Sequence, residues 1–519
     1  MPSSYVTWIL AVLLVLLLAA IVKVVMHTVR NGEIYKGHKR PATFDFNLIV
    51  IGAGSAGLVS SYIAAMGRAK VALIERDKMG GDCLNTGCVP SKALLRTARL
   101  VAEARHAERF GIAKVETEID FAQVMQRVHN VIGKIAPNDS VERYTQLGVN
   151  VIRGEAKLVS PWEVIVDGKR MSARSIVIAT GARPLVPRIE GVDSVDYLTS
   201  ENLWDLTVLP KRLVVLGGGP IGCEMTQAFA RLGSKVTQVE MAPRLLPRED
   251  ADAAAEVQKA FDEDGIKVMT RCKALRVEAG GEGGRLICDQ DGNEISLPFD
   301  RLLLALGRKA NVEGFGLKEL GVELTDRGTV RANKMLQTNF PNIFVAGDAV
   351  GPYQFTHVAS HQAWYASINA LIAPFWSFNV DYRVIPWATF TEPEVARVGL
   401  SEDEAAERGI DVEVTRYALD DLDRAIADSA DYGFVKVLTK PDKDEILGAL
   451  IVGNHSADLL VEFVLAKKHG LGLNKILGTI HTYPTMSEGN KYVAGNWKRA
   501  HAPEHLLKIA KKFFDWRRG

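Results

Sequence analysis

Phe46-Asn47-Leu48-Ile49-Val50-Ile51 runs directly into Gly52-Ala53-Gly54-Ser55-Ala56-Gly57. A short run this apolar reads as a buried strand. The glycines predict a tight turn into the Ala-rich helix that follows. Lys70 to Ile74 reads as a second strand, closed by Glu75. Strand, glycine turn, helix and strand together make a complete βαβ unit, which a lone glycine pattern does not. Gly52 makes the turn, Gly54 lets the backbone approach a pyrophosphate, and Gly57 permits close helix–strand packing. Glu75 is placed to bind ribose hydroxyls. The fold class expected is therefore α/β.

The pattern occurs twice. Lys211-Arg212-Leu213-Val214-Val215-Leu216 leads into Gly217-Gly218-Gly219-Pro220-Ile221-Gly222, and the strand Lys235–Val239 ends at Glu240. Gly217, Gly219 and Gly222 repeat the roles of Gly52, Gly54 and Gly57. A carboxylate at position 240 accepts the free 2′-hydroxyl of NAD and repels a 2′-phosphate. Arg244, nearby in sequence, weakens that preference, so NAD(P)H is expected with NADH favoured.

Between the two copies lies Gly80-Gly81-Asp82-Cys83-Leu84-Asn85-Thr86-Gly87-Cys88-Val89-Pro90-Ser91-Lys92, with two of the chain's five cysteines. In a regular helix, positions five apart differ by roughly 7.5 Å in axial rise alone. A bridge between Cys83 and Cys88 thus needs a broken turn, and Asn85, Thr86 and Gly87 tolerate one. Pro90 suits the first position of a following helix, whose apolar face is Ala93, Leu94, Leu95, Ala98 and Val101. Cys88 then precedes a helix N-terminus with Lys92 one turn on, and both favour a thiolate. Spacing alone leaves a redox pair, two ordinary buried cysteines and half a zinc site open. Zinc spacings are shorter, and nothing nearby supplies two further ligands. No metal site is expected. Cys223, Cys272 and Cys288 read as small apolar residues.

At 519 residues, 47% hydrophobic, the chain has room for about three domains. Its net charge of +1 provides no global field for nucleic acid, and five cysteines do not make a disulfide-stapled fold. Thr7 to Met26 is almost wholly apolar, long enough to span a bilayer, with Lys23 its only charge. Arg30, Lys36, Lys39 and Arg40 follow it. The positive-inside rule then predicts a single-pass protein of the inner (cytoplasmic) membrane with its catalytic domains in the cytoplasm.

Two dinucleotide sites plus the Cys-x4-Cys stretch resemble the FAD-dependent pyridine nucleotide–disulfide oxidoreductases, such as lipoamide dehydrogenase, glutathione reductase and mercuric reductase. The resemblance spans about residues 44 to 500. Ala179-Thr180-Gly181 is similar to the family's crossing between flavin and nicotinamide domains, and Leu306-Gly307-Arg308 to the end of the latter. Ala346-Gly347-Asp348-Ala349 resembles the second FAD motif, whose Asp binds the ribityl chain. Ile385-Pro386 through Val398-Gly399-Leu400 resembles the start of a dimer-forming domain.

The resemblance implies FAD, NAD(P)H and a homodimer, with Cys83–Cys88 as the redox disulfide. Cys88 is then the thiol facing the isoalloxazine and Cys83 the outer thiol that meets substrate. Lys92, paired with Glu224, lies near flavin N5, where its charge stabilises reduced flavin. The implied layout is an anchor over 5–27, a tether over 28–43, FAD-binding segments over 44–192 and 313–380, an NAD(P)-binding domain over 193–312, a dimerisation domain over 381–500 and a basic amphipathic tail over 501–519.

One segment departs from the family pattern. Its disulfide reductases carry His-Pro-Thr-x-x-Glu near the C-terminus, the His acting as acid–base from the partner subunit. Here the segment is His481-Thr482-Tyr483-Pro484-Thr485-Met486-Ser487-Glu488. Aligned on Pro484, Tyr483 takes the base position and Glu488 the acidic one, while His481 sits two residues early. A phenol of pKa about 10 is a poor base at neutral pH. Tyr at this place resembles mercuric reductases, as does Gln354-Phe355-Thr356-His357-Val358-Ala359, in which His357 opens a helix at the flavin's pyrimidine edge. His357 and His361, four apart, read as helix-lining residues rather than a metal pair. Yet no Cys-x-x-Cys domain precedes the enzyme and no C-terminal cysteine pair follows it. The expectation is a membrane-anchored reductase carrying electrons from NAD(P)H to a disulfide or a thiol-bound soft metal ion. The alternatives are a quinone reductase and a low-turnover redox sensor.

Overall fold

The computed structural model describes residues 33–281 and 283–519. The chain falls into two compact units. Residues 33–83, 135–183 and 309–380 form the first, and residues 84–134, 184–308 and 381–519 the second.

The first unit is built on the opening βαβ motif. Five strands run parallel in the order Val149–Arg153, Val71–Glu75, Phe46–Ile51, Lys169–Ile178 and Ile343–Val345. Lys169–Ile178 is long enough to serve two partnerships. Its first residues pair antiparallel with Glu163–Val166, and its last pair parallel with the central strands. The apolar run at Phe46–Ile51 is continuous because its two faces enter separate cores. Ile49 and Ile51 pack with Ile176, Phe315 and Phe340, whereas Leu48 and Val50 pack with Ala64, Phe344 and Ala363.

The second unit holds the other glycine motif. Lys267–Met269, Lys235–Val239, Arg212–Leu216 and Arg301–Leu304 form a parallel sheet in that order. A three-stranded antiparallel sheet spans Cys272–Phe299. A five-stranded antiparallel sheet follows, ordered Pro386–Thr389, Glu394–Gly399, Ile446–Gly453, Phe434–Thr439 and Glu413–Ala418. Two buried cations tie this sheet to the segment 249–252. Arg397 Nε lies 2.9 Å from Glu249, and Lys436 Nζ lies 2.8 Å from Asp250, 2.8 Å from Asp252 and 2.6 Å from Glu402.

The membrane expectations are corrected. No helix among the described residues is long and apolar enough to cross a membrane. The predicted transmembrane anchor over 5–27 lies outside the described residues. The N-terminal transmembrane helix is therefore withdrawn from the fold class, and the single-pass inner-membrane location with it. Within the expected tether over 28–43, residues 33–38 are docked. Tyr35 packs at a tilt against Trp162 with ring centroids 4.6 Å apart and donates its hydroxyl to Asn342 Oδ1 at 2.7 Å. Residues 84–134, expected with the first FAD-binding segment, pack in the second unit. There Leu94, Ala98 and Val101 share a core with Met225, Ala228 and Phe229. The expected tail is a helix, Glu504–Arg518, with no buried residue.

Candidate redox and cofactor sites

In the first unit, Glu75 turns back onto the glycine loop. Its carboxylate accepts from the backbone N–H of Ala53 at 2.6 Å and of Asp77 at 2.8 Å. Gly57 is required by packing, because a Cβ there would lie 1.7 Å from the carbonyl oxygen of Gly52. Gly54 is not so crowded: the nearest atom to an added Cβ is 3.8 Å away. Protein packing thus explains Gly57 but not Gly54, and the free face at Gly54 suits the backbone's close approach to a dinucleotide pyrophosphate. Thr180 Oγ1 donates to the Asn311 carbonyl at 2.7 Å, and the Gly181 carbonyl accepts from Asn311 N–H at 2.9 Å, which locks the crossing segment. Gly347 and Asp348 lie in a turn of 3-10 helix, where Gln362 Oε1 accepts from the Gly347 N–H at 2.7 Å. His357 occupies the first turn of the helix Thr356–Ile372, its ring stacked 5.4 Å from Phe355. His361 packs edge-on against Tyr365 at 5.0 Å.

The second unit repeats the arrangement. Glu240 accepts from the N–H groups of Gly218 and Ala242. A Cβ on Gly222 would meet the Gly217 carbonyl at 2.1 Å, whereas one on Gly219 would meet nothing within 4 Å. The two motifs therefore share both their packing glycine and their open one. Arg244 bonds the Asp403 carboxylate and the Glu249 carbonyl, so its charge is compensated within the protein. Gly307 accepts from Leu185 N–H at 2.9 Å.

The cysteine stretch folds as a short helix, Gly81–Asn85, a break at Thr86–Gly87, and the helix Cys88–Arg105. The expected break is present, but the second helix starts two residues before Pro90. Cys83 is half-buried and Cys88 exposed at that helix's first position. Trp204 Nε1 donates to the Thr86 carbonyl at 3.0 Å and to the Ser200 carbonyl at 2.8 Å, which fixes the break. Lys92 Nζ donates to Glu224 Oε2 at 2.8 Å, as the motif reading expects. Glu224 is buried, and its other oxygen accepts from the Phe390 N–H at 3.0 Å. Neither Trp204 nor Phe390 carries a sequence motif that points to these contacts.

Tyr483 and His481 part company in the structure. The Tyr483 hydroxyl donates to Asp423 Oδ2 at 2.9 Å, and that bond holds the phenol above its ordinary pKa of 10. His481 has a buried side chain whose Nδ1 faces the Thr479 carbonyl at 3.1 Å and whose Nε2 faces Glu462 at 3.0 Å. Both ring nitrogens thus face acceptor oxygens, which holds the ring in place. Glu488 is buried and accepts from Thr485 N–H and the Tyr492 hydroxyl. Burial pushes the thiols of Cys223 and Cys288 up to about 12. Among the described residues, Asp250, Asp252 and Glu402 bring three carboxylates close enough to hold a metal ion, but Lys436 bonds all three.

Residues 46–363 match the family model described as pyridine nucleotide-disulphide oxidoreductase, and residues 385–494 match that family's dimerisation domain. The chain is 35% identical over 450 residues to mercuric reductase of Lysinibacillus sphaericus, covering 87% of this chain and 82% of that protein. It is 36% identical over 451 residues to dihydrolipoyl dehydrogenase of Chlamydia muridarum, covering 85% and 95%. The Cu(II) complex of the HOCl-induced flavoprotein disulfide reductase RclA from Escherichia coli superposes with a TM-score of 0.76 at 27% identity, over 86% of this chain and 98% of that one.

Proposed function

The chain belongs to the pyridine nucleotide-disulphide oxidoreductase family, FAD- and NAD(P)H-dependent enzymes, and from that premise we propose that Cys83 and Cys88 are its redox pair. The match to the dimerisation domain supports a homodimer. When bound, FAD supplies a two-electron relay between NAD(P)H and the disulfide. Gly52, Gly54, Gly57, Glu75, Thr180, Gly181, Gly347, Asp348 and His357 would hold it, while Gly217, Gly219, Gly222 and Gly307 would hold the nicotinamide nucleotide. Glu240 favours NADH over NADPH, and the engagement of Arg244 with Asp403 supports that preference.

The observation that carries the reading is the position of Cys88 at a helix N-terminus, with Lys92 one turn on and held by Glu224. Two electrons and two protons convert the Cys83–Cys88 disulfide to a dithiol. The Cys83 thiolate then attacks a disulfide acceptor and expels one thiolate. Cys88 attacks the resulting mixed disulfide, expels the second thiolate and restores the bridge. With a disulfide acceptor, each turnover consumes one NAD(P)H and one proton and releases two thiols.

The acceptor favoured is a thiol-bound soft metal ion: the Cys83–Cys88 dithiol would displace its thiol ligands and give it two electrons as the bridge re-forms. Tyr483 stands where a disulfide reductase places its acid–base His, and its bond to Asp423 keeps it protonated, so that it supplies no base. An acceptor that needs no recycling base suits such a site best, and a structural relative, RclA, forms a complex with a metal ion, Cu(II). The test is anaerobic thiol counting. NADH should expose two new titratable thiols per protomer, together with long-wavelength absorbance. Cys83→Ser or Cys88→Ser should abolish the gain, whereas an unchanged gain in both would sink the assignment.

A further inference from the structure

Phe390 lies between the strands Pro386–Thr389 and Glu394–Gly399. It touches both members of the ion pair beside the redox cysteines. Its backbone N–H donates to Glu224 Oε1 at 3.0 Å, while Lys92 Nζ donates to Glu224 Oε2 at 2.8 Å. The Lys92 ammonium also lies 4.4 Å from the centroid of the Phe390 ring. One residue therefore fixes the carboxylate by its amide and covers the ammonium by its ring.

The segment that carries Phe390 is held in place. The Glu392 N–H donates to Gln227 Oε1, and the Glu392 carbonyl accepts from Gln227 Nε2, both at 2.8 Å. Its carboxylate bonds Arg231 and lies 3.3 Å from Arg99 Nε. Arg231 is further held by Asp264 at 2.8 Å. Arg99 stands two turns beyond Lys92 on the Cys88–Arg105 helix, and Arg231 two turns beyond Glu224 on the Pro220–Leu232 helix. The loop is thus stitched to both helices at two levels, and the ring has little freedom to leave Lys92.

We propose that Phe390 is a positioning residue for Lys92, holding the ammonium where its charge sets the potential of the redox centre. The inference rests on the reading of Cys83, Cys88 and FAD given above. A cation over an aromatic face at a partly exposed site gains about 0.5–1 kcal/mol, or about two- to fivefold in an equilibrium.

The test uses purified full-length enzyme and needs no turnover. Reductive methylation of Lys92, followed by peptide mass spectrometry against exposed Lys114 as internal reference, should be about two- to fivefold faster in Phe390→Leu. Phe390→Tyr, which keeps the ring, should return it to the wild-type rate. The flavin midpoint potential should fall by about 10–20 mV in the Leu variant, the same factor converted for a two-electron couple, and recover in the Tyr variant. Phe390→Met keeps bulk without a ring face and answers the same question should the Leu variant fail to fold. Equal labelling rates and potentials in wild type and the ring-less variant overturn the inference. The disulfide reading fails separately, through absence of NADH-generated thiols in the wild-type enzyme, and the labelling comparison still decides the role of Phe390.

Discussion

Tyr483 donates its hydroxyl to Asp423, and that bond determines the phenol's acid–base character. Phenol ionisation is opposed by the neighbouring carboxylate, so Tyr483 stays protonated throughout the neutral range. Tyr483→Phe should therefore alter turnover by less than about threefold and leave its pH profile unchanged, as steady-state rates between pH 6 and 9 will show. Tyr483→His should raise activity on small disulfides at least about tenfold, because a recycling base is worth about 10²–10⁴. The gain should appear as pH rises through the imidazole pKa, since only neutral imidazole accepts a proton. Asp423 shifts that limb above the usual value of about 6.5. No gain would mean that pocket shape limits the chemistry. The Lys92–Glu224 pair and the packing glycines Gly57 and Gly222 were legible because their contacts impose spacing. Phe390 and Trp204 were not: one acts through a backbone amide and a ring face, the other through a carbonyl 118 residues away.

At the scale of elements, the Cys88–Arg105 helix shows what periodicity reveals. Its buried residues Pro90, Leu94, Ala98 and Val101 recur at helical spacing, and the face was readable. What covers the face was not, because a stripe states only that something must. The cover is the Pro220–Leu232 helix, so the helix with Cys88 and Lys92 rides on the helix with Glu224. Leu94 is fully buried there. Leu94→Ala should cost about 2–5 kcal/mol in urea denaturation. It should also loosen the Lys92–Glu224 pair, read as faster Lys92 labelling. The Glu504–Arg518 helix is the converse case. Its amphipathic pattern was equally legible, yet none of its residues is buried. Deleting 504–519 should leave the melting temperature and NADH-dependent thiol production unchanged, which differential scanning fluorimetry and thiol titration will check.

At the scale of the whole molecule, the α/β class, two dinucleotide motifs and a separate C-terminal sheet were legible from ordered motifs. The grouping of residues 84–134 was not, because packing decided it. The apolar run at the N-terminus led instead to a membrane assignment that no described helix supports. The bond between the 249–252 segment and the C-terminal sheet was invisible too, since Lys436 lies 184 residues from Asp252. Burial disfavours the Lys436 charge, but its bonds to Asp250, Asp252 and Glu402 outweigh that and raise its pKa above 10.5. Its contribution to stability is therefore complete below that pH and is lost as pH rises through the higher folded value. Lys436→Met should cost about 3–5 kcal/mol at pH 7.5, because it strands the carboxylates. The wild type's advantage over that variant should shrink as pH rises above 10.5, as urea denaturation on either side of that value will show.

Tyr35 gives the first unit a fixed doorway. The chain is gripped at residues 33–38, before the first strand begins at Phe46, by an indole, a phenyl ring and a carboxamide. A polypeptide trimmed to start at Phe44 would lose the phenol and wet Trp162, so its emission should shift to the red. A reporter protein grafted ahead of Glu33 would instead leave that indole dry and its glow unaltered.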